Sequence, residues 1–317
     1  MLSGVFFNIL VNICLCNKVF GVDYMKIVEM YESKKPVLSL EIFPPKMDYP
    51  LETVFKTLDE LKKLNPKYIS VTYGAGGSNR GRTVEIASRI KNEYKIESLA
   101  HLTSIGHSKE EVYSILNELL NENINNIMAL RGDIPGGVQE FDIKNQEYMY
   151  ASDLIKDINK HSGDFGIAAA AHPDGHPECS RLSYDLNNLK QKVDSGVDFL
   201  TTQLFFDNRI YYDFIEKCTQ IGINCPIVPG IMPVLNAKQI RRIIYLCGAS
   251  MPAKLLILVD KYENNPEDMQ KAGIEYASRQ VEDLIKNGVP GVHLYTMNKS
   301  QQIAEIVQNV GLEITTK

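Results

Sequence analysis

From Val37 to Thr296, short runs of β-branched and apolar residues alternate with longer runs in which apolar residues return every three or four positions. The short runs, at 37–43, 68–73, 97–102, 125–130, 166–171, 198–205, 226–229 and 291–296, predict eight strands. Amphipathic segments such as 52–64, 82–94, 108–122, 149–161 and 184–195 predict helices between them. Eight strands in about 260 residues, each followed by a helical stretch, predict an α/β fold, a single closed (β/α)8 TIM barrel. The longest gap, 230 to 290, predicts extra helices near 237–247 and 266–287, between strands 7 and 8. An open doubly wound sheet is the runner-up. No Gly-x-Gly-x-x-Gly follows a strand: Gly74-Ala75-Gly76-Gly77 comes near, but Asn79 stands at the third glycine position, and there is no Walker A motif.

Strand one carries the first chemical hint. In Val37-Leu38-Ser39-Leu40-Glu41-Ile42-Phe43 the alternation puts Leu38, Leu40 and Ile42 on one face and Ser39 and Glu41 on the other, and Pro44-Pro45 ends the strand. Polar residues inward suit a barrel wall, with Glu41 in the mouth. Burial there disfavours a charged carboxylate and lets the group hold a proton near neutrality. The other strand ends are also polar: Thr72-Tyr73, His101-Leu102-Thr103, Arg131-Gly132-Asp133, His172-Pro173, Gln203, Pro229-Gly230 and Tyr295-Thr296. In a barrel all of these face the side where active sites lie. Singly, each has an ordinary reading: a surface ion pair for Glu41, a hydrogen-bonded core histidine for His101, a tight turn for the glycine loop 74–78.

Composition narrows the classes. The 317 residues are 44% hydrophobic and 23% charged, as in a soluble globular enzyme, and the net charge of -5 argues against a nucleic-acid partner. The six cysteines contain no Cys-x-x-Cys pair, so no metal site or disulfide framework is expected and a reducing cytoplasm is the default. Residues 1–24 do not match the rest: Leu2 to Cys16 is apolar, broken by Asn8 and Asn12, too short for a membrane span, and without the flanks of a signal peptide. The expectation is a non-core extension over 1–24, a working start at Met25, a short amphipathic helix after it, and a catalytic barrel over 25–317.

Taken in order, the motifs resemble the methylenetetrahydrofolate reductase family. They are Leu-Glu-Ile-Phe-Pro-Pro-Lys at 40–46, Val-Thr-Tyr-Gly-Ala at 71–75, Ala-His-Leu-Thr at 100–103, Ala-Leu-Arg-Gly-Asp at 129–133 and Tyr-Ala-Ser-Asp-Leu at 150–154. His-Pro-Glu at 176–178, Asp-Leu-Asn-Asn-Leu-Lys-Gln-Lys-Val-Asp-Ser-Gly at 185–196, Thr-Gln-Leu-Phe-Phe-Asp at 202–207, Pro-Gly-Ile-Met-Pro-Val at 229–234 and Leu-Tyr-Thr-Met-Asn at 294–298 follow. The resemblance implies a barrel with non-covalent FAD, which takes a hydride from NAD(P)H and passes it to methylenetetrahydrofolate, the two substrates using one face in turn. It implies Glu41 as the general acid that opens the folate ring and Asp133 as a carboxylate near both flavin and pterin. Flavin contacts carry over to Thr72, Tyr73, His101, Arg131, Gly132, Asp133, Tyr150, Ala151, His176, Asp185, Asn188 and Lys192, with Arg131 and Lys192 suited to the diphosphate. Gln203 and Gln239 carry over as folate-side contacts, Gln203 also toward the nicotinamide.

The chain departs from that pattern at three positions. His172 stands in place of a tyrosine and Gln191 in place of an arginine, both on the flavin side. Lys299 replaces an arginine that can reach the folate, keeping the charge but losing the bidentate fork. The chain ends soon after strand eight and its helix, so no regulatory domain is expected. A homo-oligomer is expected; an electron-transfer partner subunit is left open, as is NADH against NADPH. The rival readings are a pterin-binding methyltransferase barrel and a non-catalytic folate-binding subunit, and flavin colour separates them from the first.

Overall fold

The computed structural model describes residues 25–33, 35–74, 80–133 and 146–312. The N-terminal extension and most of the glycine loop, 75–79, lie outside the described residues. The strands are β1 (Val37–Ile42), β2 (Tyr68–Val71), β3 (Glu97–Thr103), β4 (Asn126–Leu130), β5 (Gly166–Ala171), β6 (Phe199–Thr202), β7 (Ile227–Val228), β8 (Gly230–Ile231) and β9 (Gly291–Tyr295). All pair in parallel in the order β7-β6-β5-β4-β3-β2-β1-β9-β8. The two ends of that order are consecutive in sequence, so the sheet closes into a barrel. Eight staves were predicted, and the ninth strand is half of the seventh: β7 pairs with β6, β8 with β9, and Pro229 separates them. Proline has no N–H for a ladder, but its carbonyl still accepts from His293 N at 2.9 Å.

The helices are α1 (Glu52–Leu61), α2 (Arg80–Asn92), α3 (Lys109–Asn121), α4 (Ala151–Lys160), α5 (Leu182–Asp194), α6 (Asn208–Gln220), α7 (Ala237–Cys247), α8 (Ala253–Lys261), α9 (Pro266–Lys286) and α10 (Ser300–Val310). Both extra helices lie where the periodicity put them, and α8 adds a third between them. Local chemistry fixes several ends. Ser108 and Glu111 form a capping box on α3, and Asn265 caps α9 with Pro266 in its first turn. Gly248, at φ 68°, ends α7.

The alternation in β1 holds. Leu38, Leu40 and Ile42 join the main core between barrel and helices, where each buried aliphatic side chain contributes about 1.5–3 kcal/mol. A second cluster closes the barrel floor: Ile27 packs with Val37, Tyr68, Leu99, Met128, Ala168, Phe199 and Val228. Ile27 belongs to a 3-10 helix, Ile27–Glu32, in the segment expected to be a short helix. Asn126 latches it, accepting from Ile27 N at 2.9 Å and donating to the Met25 carbonyl at 3.0 Å. No helix among the described residues is long and apolar enough to cross a membrane.

Candidate active site

At the C-terminal end of β1 the Glu41 carboxylate, 18% exposed, stands between two imidazoles. His101 Nε2 lies 3.5 Å from Glu41 Oε2 and His293 Nε2 lies 3.8 Å from the same oxygen. Parallel register sets this up, pairing Glu41 with Ser70 on one side and Tyr295 on the other. Burial pushes the His101 imidazole below its ordinary value, the Glu41 charge partly offsetting it, so His101 is neutral at physiological pH. Its Nε2 is buried and makes no hydrogen bond. Such an orphan at the mouth is what a site awaiting a polar ligand presents. The loop after β9 is tied across the mouth of β1. Thr296 Oγ1 donates to the Glu41 carbonyl at 2.6 Å, and the Asn298 amide donates to the Phe43 carbonyl at 2.9 Å while accepting from Phe43 N at 3.2 Å.

Beyond β4, Arg131 is half-buried and Asp133 exposed. Gly132 between them has φ +83°, and a Cβ there would meet Thr103 Cβ at 2.7 Å, so only glycine brings these two side chains round the rim. Arg131 makes a fork to Glu178, with Nη1 and Nη2 donating at 2.7 and 2.8 Å. That pair holds the Glu178 carboxyl below the usual carboxylate range. Asp133 is near enough to Cys247, at the end of α7, to reinforce the upward push that burial gives the thiol.

The β5 side of the mouth is cationic. Lys192 Nζ donates to the Ala170 carbonyl at 2.5 Å, and burial lowers its ammonium to about 8, the Asp185 charge opposing the fall. His172 meets His176 edge to face at 4.7 Å; burial, then the Lys192 charge, drive His172 down to about 3. Asp185 accepts from His176 N at 3.0 Å, fastening the loop to α5. Asn188 and Gln191 are exposed on the same helix, and Tyr150 and Ala151 open α4, with Tyr150 exposed at 61%.

The expected folate-side residues divide. Gln239 and Lys299 line one cavity of about 350 Å³ with Phe43, Met232, Gln270 and Gln302. Gln203 lies apart from that cavity at the end of β6, its N–H donating to the Ala171 carbonyl at 2.7 Å. Thr72 is half-buried at the end of β2, whereas the Tyr73 side chain turns into the main core, 2% exposed, with its hydroxyl 3.3 Å from His107 Nε2. Sequence reasoning missed His293, Ser39's contact with it, and Glu178. A histidine at alternate spacing with Tyr295 was the available signal for His293. No group of three or more potential metal ligands is assembled among the described residues.

Comparison with known proteins identifies the family. The family model for methylenetetrahydrofolate reductase matches residues 26–311. The chain is 37% identical over 297 residues to methylenetetrahydrofolate reductase (NADH) 1 of Arabidopsis thaliana, covering 90% of this chain and 50% of that protein. It thus spans about half the length of the plant relatives it matches. To 5,10-methylenetetrahydrofolate reductase of Escherichia coli K12 it is 36% identical over 275 residues, 87% of this chain and 90% of the relative. The fold is also that of an uncharacterized Clostridium thermocellum protein that binds two copies of 5-methyl-5,6,7,8-tetrahydrofolic acid, with TM-score 0.59 and 12% identity over 91% of this chain and 100% of that one. With the family model matching residues 26–311 of the 317 and both relatives above one-third identity, this chain belongs to the methylenetetrahydrofolate reductase family.

Proposed function

We propose that the protein reduces 5,10-methylenetetrahydrofolate to 5-methyltetrahydrofolate with NAD(P)H as hydride source and non-covalent FAD, in two half-reactions over one face of the mouth. The observation that carries this reading is Glu41, a mostly buried carboxyl set 3.5 and 3.8 Å from two imidazoles, in a chain of this family. The residues present fit the flavin: the orphaned His101 Nε2, the Gly132 cradle and the cationic Lys192 are what a polar, anionic, planar cofactor needs. When bound, FAD supplies a two-electron relay from the nicotinamide to the folate. Lys192 and Arg131 would hold the diphosphate, Arg131 exchanging Glu178 for a phosphate. Asp133, exposed at the rim, would disfavour negative charge on a bound flavin and favour a cationic folate iminium.

Glu41 has the central task. As general acid it would give a proton to a folate ring nitrogen, so that the five-membered ring opens to the electrophilic iminium that accepts the hydride. Hydride transfer from nicotinamide needs no such proton. Glu41→Gln keeps size and hydrogen bonding but cannot donate, and a general acid contributes about a hundred- to ten-thousand-fold. In stopped flow, bleaching by NADH or NADPH should stay within a few-fold of wild type, while reoxidation by methylenetetrahydrofolate nearly vanishes. If both half-reactions fell together, Glu41 would be structural; if neither fell, the acid lies elsewhere.

A further inference from the structure

The chain leaves the Glu41 strand through a loop, Phe43-Pro44-Pro45-Lys46-Met47-Asp48-Tyr49-Pro50, that is gripped by one side chain. Arg82, in the first turn of α2, donates from Nη1 to the carbonyls of Pro45, Lys46 and Tyr49 at 3.2, 2.9 and 2.7 Å. Its Nη2 donates to the Met47 carbonyl at 2.8 Å. The start of α2 is itself fixed, since Thr83 Oγ1 donates to the carbonyl of Thr72, just past β2, at 2.9 Å. Burial does not explain the clamp. Pro44 is buried, but Lys46 to Pro50 are all exposed, Met47 at 65% and Tyr49 at 56%. The carbonyls of an exposed connection can be left to water; a planar guanidinium with four main-chain partners gives this one a defined place instead.

The other end of the loop shows what that place serves. Phe43 is held through both its main-chain groups by the Asn298 amide. Asn298 and Met297 before it both adopt left-handed backbone, at φ 55° and 50°, which non-glycine residues take only where the surroundings impose it. Between the two anchors stand only Pro44 and Pro45. Each ring fixes its own φ at about −65° and pushes the residue before it toward extended backbone, so the pair is a short stiff rod. Phe43, at the near end of that rod, lines the 350 Å³ cavity with Gln239, Lys299, Met232 and Ile240. Arg82 is not among the residues that line it. With the far end released, the rod pivots at Phe43, and Asn298 alone keeps the aromatic wall in place.

We propose that Arg82 is a positioning residue for the folate: by clamping residues 45–49 it holds Phe43 as a wall of the folate-side cavity. The proposal rests on the reading that Gln239 and Lys299 mark that side, and it gives Arg82 no contact with substrate or cofactor. Gln203, which carries over toward the nicotinamide, lies apart from the cavity. The clamp therefore serves the folate half-reaction and leaves the nicotinamide one alone. A wall displaced by about 1 Å by a change far from the reacting atoms can cost up to a hundredfold.

Arg82→Lys keeps the charge but replaces the planar fork with a single point of three donors, too compact to span four carbonyls. Arg82→Ala removes charge and fork together. Prereduced holoenzyme is mixed with increasing methylenetetrahydrofolate in stopped flow. In both variants the half-saturating concentration should rise about ten- to a hundredfold, while the limiting rate stays within roughly a few-fold of wild type. Bleaching by NADH or NADPH should keep its wild-type rate and half-saturation. Titration of the oxidised holoenzyme with 5-methyltetrahydrofolate reads the same loss as a dissociation constant, apart from turnover. Pro45→Gly leaves Arg82 and Asn298 intact and slackens the rod between them. It should show the same split, and it tests the clamp even if an Arg82 variant folds poorly. Wild-type folate affinity in the Arg82 and Pro45 variants, or an equal fall in both half-reactions, would overturn the assignment. Lys299→Met separates the two failures, because wild-type folate affinity there would overturn the reading of the cavity instead.

Discussion

Lys192 shows how one side chain can tie cofactor affinity to pH. Burial lowers its ammonium from 10.5 to about 8, so in the empty site the charge is lost through that range, while a bound diphosphate would restore it. Flavin should therefore bind about tenfold more weakly at pH 9 than at pH 7, following a group that titrates near 8, as a fluorescence titration of apoprotein would measure. Lys192→Met should flatten that dependence and weaken binding at pH 7 by roughly one to two powers of ten. An unchanged slope would remove Lys192 from the diphosphate. The sign for stability runs the other way. An unfolded lysine keeps its proton up to 10.5, so this group's destabilisation is complete below pH 8 and fades as pH rises from 8 to 10.5. The candidate residues that sequence alone could reach were those at strand ends, because alternation fixes which side chains face inward. His293 escaped notice because a lone histidine inside Gly-Val-His-Leu-Tyr reads as core, and only the closed barrel puts it beside Ser39 from the other end of the chain. Glu178 escaped because its partner Arg131 is 47 residues away.

At the scale of elements, the seventh stave is the weak seam of the barrel. Its two halves pair over two residues each, and between them Pro229 breaks the ladder. Gly230 replaces the lost link by donating to Thr202 Oγ1 at 2.9 Å. A Cβ on Gly230 would sit 2.4 Å from the Thr202 carbonyl and 2.6 Å from Tyr295 Cε2, in the gap that the Tyr295 hydroxyl spans to that same carbonyl at 2.6 Å. Gly230→Ala should therefore destabilise by about 1–3 kcal/mol or more, read as a lower urea midpoint at constant slope. It should also disturb the mouth, since Tyr295 pairs with Glu41 in the sheet. Strand positions were readable because each stave is a short apolar or β-branched run set between longer helical stretches. The split was not, since a proline in a short apolar run says only that pairing is interrupted, not that each half pairs with a different neighbour. The α8 helix was missed within the long 230–290 gap, where its apolar residues lack a clean stripe: Leu256 and Ile257 are exposed while Leu255 and Val259 are buried.

For the molecule as a whole, closure at the floor matters as much as the mouth. Barrel strands leave their lower interior open to water unless something plugs it, and here Ile27 does so, fully buried and held through its N–H by Asn126. Tyr31 packs its ring 5.4 Å from Phe199 and places its hydroxyl on Tyr68. We propose that the barrel unit begins at Met25 and that residues 1–24 are dispensable to it. A chain starting at Met25 should match the full chain in thermal midpoint and in flavin retained after dialysis. A chain starting at Lys35 should lose the plug and the Asn126 latch together. Exposing Ile27's seat and leaving Asn126 Oδ1 without its partner, while Nδ2 keeps Glu97 Oε2 at 3.3 Å, add about 1.5–3 kcal/mol of lost burial to about 1–3 kcal/mol for the unsatisfied oxygen, a large share of a domain's usual 5–15 kcal/mol. Equal midpoints for the Lys35 and Met25 chains would mean that the floor is not a stabilising closure. A lower midpoint or lost colour already at Met25 would place the beginning of the unit further upstream.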